Sequence, residues 1–191
     1  MTGRRDDLLD AAITVLGERG THALTHRAVD AAAGLPAGST SNHFRTRDAL
    51  FDGVVVRFAE RERANFDRVV ARRSPTTPDA LAEVMVALAR EATGPQRSLT
   101  LARYAILVEA AIRPELRARL LTTGAAVDAW FTAWLPVAGS TDPERDAPLL
   151  MNHWTGLVLH ELAVPDPAFD PSAQLTAMTR AVLGQPKEAL R

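Results

Sequence analysis

From Leu8 to Leu183 the apolar residues of this 191-residue chain return every three or four positions, and they never alternate singly over a useful length. That period lines one face of a helix, whereas a half-buried strand needs a period of two. The pattern therefore disfavours sheet folds and leaves helix packed on helix. Leu8, Leu9, Ala12, Ile13 and Leu16 make the first stripe. Asp6, Asp7 and Asp10 stand at the end where a helix dipole favours negative charge, and Gly20 stands where the helix would stop. Thr25 is a suitable N-cap for a short helix ending at Gly34. A long stripe follows from Asp48 to about Arg73, through Phe51, Val54, Val55, Phe58, Phe66, Val69 and Val70. After the linker "SPTTPD", helical patterns cover about 79–93, 96–112, 114–135, 146–163 and 171–183, with "VAGSTDPERDAP" and "VPDPAFDP" read as loops. The expected fold is all-α with about nine helices, a head of three short helices on a larger helical bundle.

Composition agrees, being rich in Ala and Leu and only 5% aromatic. No run of about 18 uncharged apolar residues occurs, so no membrane span is expected. Arg4 and Arg5 are followed by three aspartates before any apolar core, which is not a signal-peptide pattern. Without cysteine there is neither a disulfide framework nor a thiolate zinc site, and a cytoplasmic location is the expectation. The net charge of −1 does not decide for or against a nucleic-acid partner, because a local basic surface suffices. Residues 1–50 are neutral overall, with six arginines against five aspartates and Glu18. Only Lys187 among the 22 cationic residues is lysine, which coding bias explains more readily than a choice of arginine for phosphate.

The stretch "AGLPAGSTSNHFRTRDALF", residues 33–51, is the most polar and least helix-prone of the chain, yet it lies between two helical patterns. It reads either as a connecting loop or as the second half of a helix-turn-helix, with its helix starting near Pro36. On the second reading the helix enters the major groove with its N-terminal residues on the base edges. Ala37 and Gly38 then allow close approach, while Ser39, Ser41 and Asn42 offer donors and acceptors. Thr40 faces inward beside Ala28, Val29 and Leu35, and Phe44 anchors the helix against Leu16 and Leu50. Arg45 and Arg47 are placed to neutralise phosphate.

"LLDAAITVLGERG" followed by "LTHRAVDAAAGLPAGSTSNHFRTRDALF" resembles the N-terminal domain of the tetracycline-repressor (TetR) family of transcriptional regulators. The resemblance covers residues 5 to about 55 and includes Gly38, His43, Phe44, Arg47 and Leu50 at the family's spacing. It implies that Thr25 and Arg27 meet phosphate at the start of the second helix. It implies too that Ala37, Gly38, Ser39, Ser41, Asn42 and His43 form the recognition surface, and that Arg47 holds phosphate at the start of the fourth helix. Ser41 and Asn42 depart from the two aromatics that many members carry at these positions, which opens the base preference; Asn42 can read adenine bidentately. His43 either contacts phosphate or only packs. "LARYAILVEAAIRPELR" is similar to part of one subgroup's C-terminal domain.

The resemblance divides the chain into a DNA-binding domain, 1–47, and a ligand-binding and dimerisation domain, 48–191. It implies a homodimer through the last two helices, where "LLMNHWTGLVLHELA" is apolar or amphipathic around almost its whole circumference. The other reading is burial within one protomer. Polar and aromatic groups in apolar stripes are either core residues or ligand contacts. Glu62, Tyr104, Val108, Glu109, Trp130, Trp134, His153 and Trp154 are the candidates for a pocket, with the two glutamates favouring a cationic or hydrogen-bond-donating ligand. His153 and His160 are seven apart, not the usual helical metal spacing, and neither a metal nor a cofactor is expected. The leading reading is a repressor that binds operator DNA and is released by a small-molecule effector. An enzyme lacks any phosphate loop, nucleophile elbow or metal motif; a helical adaptor without operator binding is the alternative.

Overall fold

The structure is a computed structural model that describes residues 3–184, with the backbone alone at 119 and 122–128. Among the described residues it holds no strand. Its α-helices are α1 (Arg4–Arg19), α2 (His26–Ala32), α3 (Ser39–His43), α4 (Arg47–Val70), α5 (Pro78–Thr93), α6 (Arg97–Ile112), α7 (Pro114–Trp134), α8 (Pro143–Ala163) and α9 (Ser172–Leu183). A 3-10 turn, Thr21–Ala23, joins α1 to α2. Nine α-helices among the described residues match the count expected from periodicity. None of them is long and apolar enough to cross a membrane.

The chain forms two compact units. The first takes the chain through Glu62 together with Gln96–Gly124. It is discontinuous because α6 packs along α1 and supplies Leu99, Ala102 and Ile106 to the same core as Leu8, Leu9, Ile13, Leu16, Leu24 and Leu50. The two helices pass so closely that a methyl group on Gly17 would lie 2.0 Å from the carbonyl oxygen of Ser98. Asp10 of α1 receives a two-pronged contact from Arg57 of α4, both bonds 2.9 Å.

The second unit takes Arg63–Pro95 and the chain from Ala125 onward. Leu81, Met85, Leu135, Leu150 and Leu175 are fully buried in it. Trp154 fills this core and donates its indole N–H to the carbonyl of Met85 at 3.0 Å. The Phe66 ring meets Trp130 edge-on, and the Arg63 guanidinium stands 4.8 Å from the centre of the Trp130 ring.

One helix begins earlier than its prolines suggest. The stretch 137–148 reads as a loop, yet α8 starts at Pro143. Asp142 caps it by accepting the N–H of Arg145, and Pro143 occupies a first-turn position where a missing N–H costs little. Pro148 lies inside the helix. Asp146, 1% exposed, is held by the hydroxyl of Ser140 at 2.6 Å and by Arg145, which ties the first turns down.

Candidate nucleic-acid interface

The polar stretch after Gly34 is not a plain loop. Thr25 caps α2 by accepting the N–H of Ala28 at 3.2 Å, and Gly34 with φ +65 begins the turn. The following helix starts at Ser39, three residues later than its proline suggests, because Gly38 adopts φ +94 and interrupts any earlier helical run. Ala37 and Gly38 therefore belong to the turn before the helix.

What holds α3 in place is Asp30 of α2. Its carboxylate, 3% exposed, accepts the N–H of Gly38 at 2.8 Å on one oxygen. The other oxygen accepts both the N–H of Thr40, at 2.7 Å, and its hydroxyl. Burial alone would raise the carboxyl pKa, but the hydrogen bonds from Thr40 and Gly38 and the nearby His26 bring it below its ordinary value. Across the other end, the Nε2–H of His26 donates to the carbonyl of Phe44 at 2.7 Å. Phe44 is buried, as expected, and Arg5 lies 5.2 Å over its ring. Thr40 is fully buried, as its inward placement requires. The roles of Asp30 and His26 escape a reading of the sequence. A charged residue between the apolar Val29 and three alanines of a short helix is the one signal that points to Asp30.

The outer face of α3 presents Ser41, Asn42 and His43, all exposed. The Ser39 hydroxyl donates to the carbonyl of Pro36 and that of Ser41 to Gly38, so both oxygens keep lone pairs for an incoming donor. Asn42 and His43 have no side-chain hydrogen bond among the described residues, and their full polar valence is open. Thr25 and Arg27 are exposed at the start of α2. Arg47 also braces the head itself. It donates to the carbonyls of Thr21, at 2.6 Å, and Leu24, at 3.3 Å, and so ties the 3-10 turn to α4.

Tertiary pairing also changes the charge of this region. Asp10 is taken by Arg57 and Arg61, Asp48 by Arg113, and Asp30 by backbone donors. Arg27 and Arg45 have no ion pair among the described residues. A stretch that is neutral by count thus leaves its arginines unopposed where α2 and α3 are exposed.

The candidate pocket residues fall in both units. In the first, Glu62 pairs with Arg103 at 3.1 Å, and Glu109 lies 3.5 Å from Arg113, whose guanidinium also meets Asp48 and Glu115. Tyr104 is buried, which pushes its hydroxyl pKa up to about 12, while Val108 is 63% exposed. In the second, Trp154 is core, Trp130 packs on Phe66, and Trp134 is half-buried. The Nε2 atom of His153 is buried without a hydrogen-bond partner among the described residues.

A short polar helix, clamped by its neighbour across a tight turn, defines a protein of the helix-turn-helix class. Residues 8–54 match the family of bacterial regulatory proteins of the tetR type, and residues 76–185 match the tetracyclin repressor-like C-terminal domain. The chain belongs to the TetR family. The HTH-type transcriptional repressor KstR2 of Rhodococcus jostii is 36% identical over 70 residues, a match that spans about a third of either chain (37% and 34%). Among solved structures, the multidrug binding protein EbrR complexed with ethidium is 30% identical with a TM-score of 0.70, covering 95% of this chain and 99% of that one. A TetR family member from Streptomyces coelicolor A3 is 29% identical with a TM-score of 0.71 over 95% and 99%.

Proposed function

We propose that this chain is an operator-binding transcriptional regulator, a repressor released from DNA by a small molecule in the cytoplasm. The observation that carries the reading is the Asp30 clamp, which holds α3 with Ser41, Asn42 and His43 exposed while Arg27 and Arg45 stay free for phosphate. Base edges are read by Ser39, Ser41 and Asn42, with Ala37 and Gly38 in the turn at the DNA surface. Thr25, Arg27, His43 and the spare donors of Arg47 hold the backbone. Residues 1–47 form the DNA-binding domain and 48–191 the ligand-binding and dimerisation domain.

One five-residue helix makes too few contacts alone, so a dimer reads two half-sites. Its face is the outer side of α8 and α9. Leu149, Asn152, Gly156, Leu159 and Ala163 recur at helical spacing and are exposed, with Leu149 and Leu159 at 46% and 44%. A methyl on Gly156 would meet nothing within 4 Å, leaving room for a partner helix. On α9 the exposed row is Ala173, Ala177 and Ala181.

EbrR, bound to ethidium, supports a small-molecule effector here. Trp130, Trp134 and the unpartnered His153 are the second unit's candidates to meet it, and Tyr104 the first unit's. The effector releases DNA only by favouring a dimer state with poor operator affinity, on the order of 1–3 kcal/mol of coupling. Binding-site selection from random duplexes, followed by fluorescence anisotropy at several salt concentrations, tests the reading. A selected palindrome bound at least about a thousandfold tighter than random DNA supports it. No enrichment, with no salt-dependent binding, rejects it in favour of an adaptor.

A further inference from the structure

A cleft of about 600 Å³ opens in the second unit between the C-terminal end of α4, one face of α5 and the first turns of α9. None of the residues singled out in the sequence for ligand or DNA lines it. Its apolar floor is Val69, Val86 and Ala87, the first two only 3% and 8% exposed. Four arginines and two glutamates stand around that floor. Arg68 is bound to Glu91 and Arg90 to Asp170, each at 3.1 Å, so these two guanidiniums are already neutralised. Arg72 and Arg73 are different. Their backbone N–H groups bond to the carbonyls of Val69 and Val70 in the turn that ends α4, and neither side chain has an ion pair or hydrogen bond among the described residues. Glu83 is the one lining carboxylate without a partner among the described residues, so the open part of the cleft keeps an excess of positive charge.

We propose that this cleft binds an organic anion. Arg72 and Arg73 hold its carboxylate, sulfonate or phosphate group, and its hydrocarbon body covers Val69, Val86 and Ala87. Arg72 and Arg73 are consecutive and both line the cleft, and the planar fork of a guanidinium matches oxyanion geometry. The volume is that of sites for small organic molecules. Both arginines are exposed, so a ligand can reach them without displacing a core contact. The site stands independently of operator binding.

Two fluorescent naphthalenes of nearly one shape test the proposal on the full chain: the anionic 8-anilinonaphthalene-1-sulfonate and the uncharged N-phenyl-1-naphthylamine. The sulfonate is expected to bind the parent saturably. Arg72→Ala/Arg73→Ala is expected to weaken it at least about tenfold, as two lost charge-assisted contacts require. Arg72→Lys/Arg73→Lys should recover part of the affinity. The uncharged probe should bind parent and variants alike. Arg19→Ala/Arg97→Ala removes equal charge from exposed sites in the other unit and should leave the sulfonate unaffected, while far-UV circular dichroism confirms that each variant is folded. Equal sulfonate affinity in the parent and the Arg72→Ala/Arg73→Ala variant, or absence of saturable binding to the parent, overturns the proposal. A parallel fall for both probes does the same, because it points to an apolar site that needs no guanidinium.

Discussion

Asp30 on α2 takes the backbone N–H and the hydroxyl of Thr40 on α3 with a single carboxylate oxygen. This contact spans the turn of the helix-turn-helix and sets how α3 stands on α2. Its partner oxygen holds Gly38, so the carboxylate satisfies donors on both sides of the residue where α3 begins. Three donors meet two oxygens, and none is left unsatisfied in a buried place.

Asp30→Asn keeps the shape but exchanges an acceptor for an N–H2 that must face a backbone N–H. We expect a loss of about 2–3 kcal/mol in urea unfolding, against about 1 kcal/mol for Thr40→Val, which removes only the hydroxyl. Operator affinity should fall further in the asparagine variant. Equal stability of Asp30→Asn and parent would rule out the clamp.

The same carboxyl makes a pH signature. Its folded pKa lies below the ordinary value of 3.8, so its stabilising effect is fully present above that value and is lost as pH falls through the lower folded one. The stability gap between the parent and Asp30→Asn should therefore be constant at neutral pH and close only in strong acid, below about pH 4. Thermal melts across the range from strong acid to neutrality measure it, and a gap that closes already in weak acid, near the histidine range of about pH 6, contradicts the assignment.

Arg27 and Arg47 should separate phosphate contact from scaffold. Arg27→Ala is expected to weaken specific and random DNA alike and to reduce the salt slope by about one, with an unchanged melting point. Arg47→Ala should also lower stability, by about 1–2 kcal/mol, because the carbonyls of Thr21 and Leu24 lose their charged donor. Isothermal denaturation of both variants beside anisotropy titrations distinguishes them.

Gly17→Ala probes the crossing of α1 and α6. Its new methyl would lie within 2.0 Å of the Ser98 carbonyl oxygen, a backbone atom that cannot rotate away. The helices must separate, at a cost of about 1–3 kcal/mol or more by overpacking. A denaturation midpoint equal to the parent's would show that the crossing has slack to absorb a methyl group.

Leu159→Glu places a charge on the exposed row of α8 and should leave the fold intact while shifting sedimentation from dimer to monomer. It is 44% exposed in the protomer, so folding alone barely notices the change. A variant that still sediments as a dimer would move the interface elsewhere.

Much of the head is legible in the sequence. Gly34, Thr25 and Phe44 carry local signals, because caps, turns and apolar stripes act over four residues or fewer. The clamp is not legible, since Asp30 and Thr40 are ten positions apart and an aspartate in a helix is ordinarily solvent-facing. Glu62 stands out as a polar break in an apolar stripe, but only the fold brings Arg103 beside it, across 41 positions. The start of α8 is hidden by two prolines, of which Pro143 fits the first turn while Pro148 lies inside the helix.

The sequence by itself determined the all-helical class, the order of the helices and the polar character of the stretch after Gly34, all of which rest on interactions between near neighbours in the chain. Only the tertiary structure decided which charges remain available. Asp10 meets Arg57 across 47 positions and Asp48 meets Arg113 across 65, while Arg27, Arg45, Arg72 and Arg73 find no opposite charge among the described residues. Ion pairs form between groups that packing brings within about 4 Å, and packing follows the apolar faces rather than the charges.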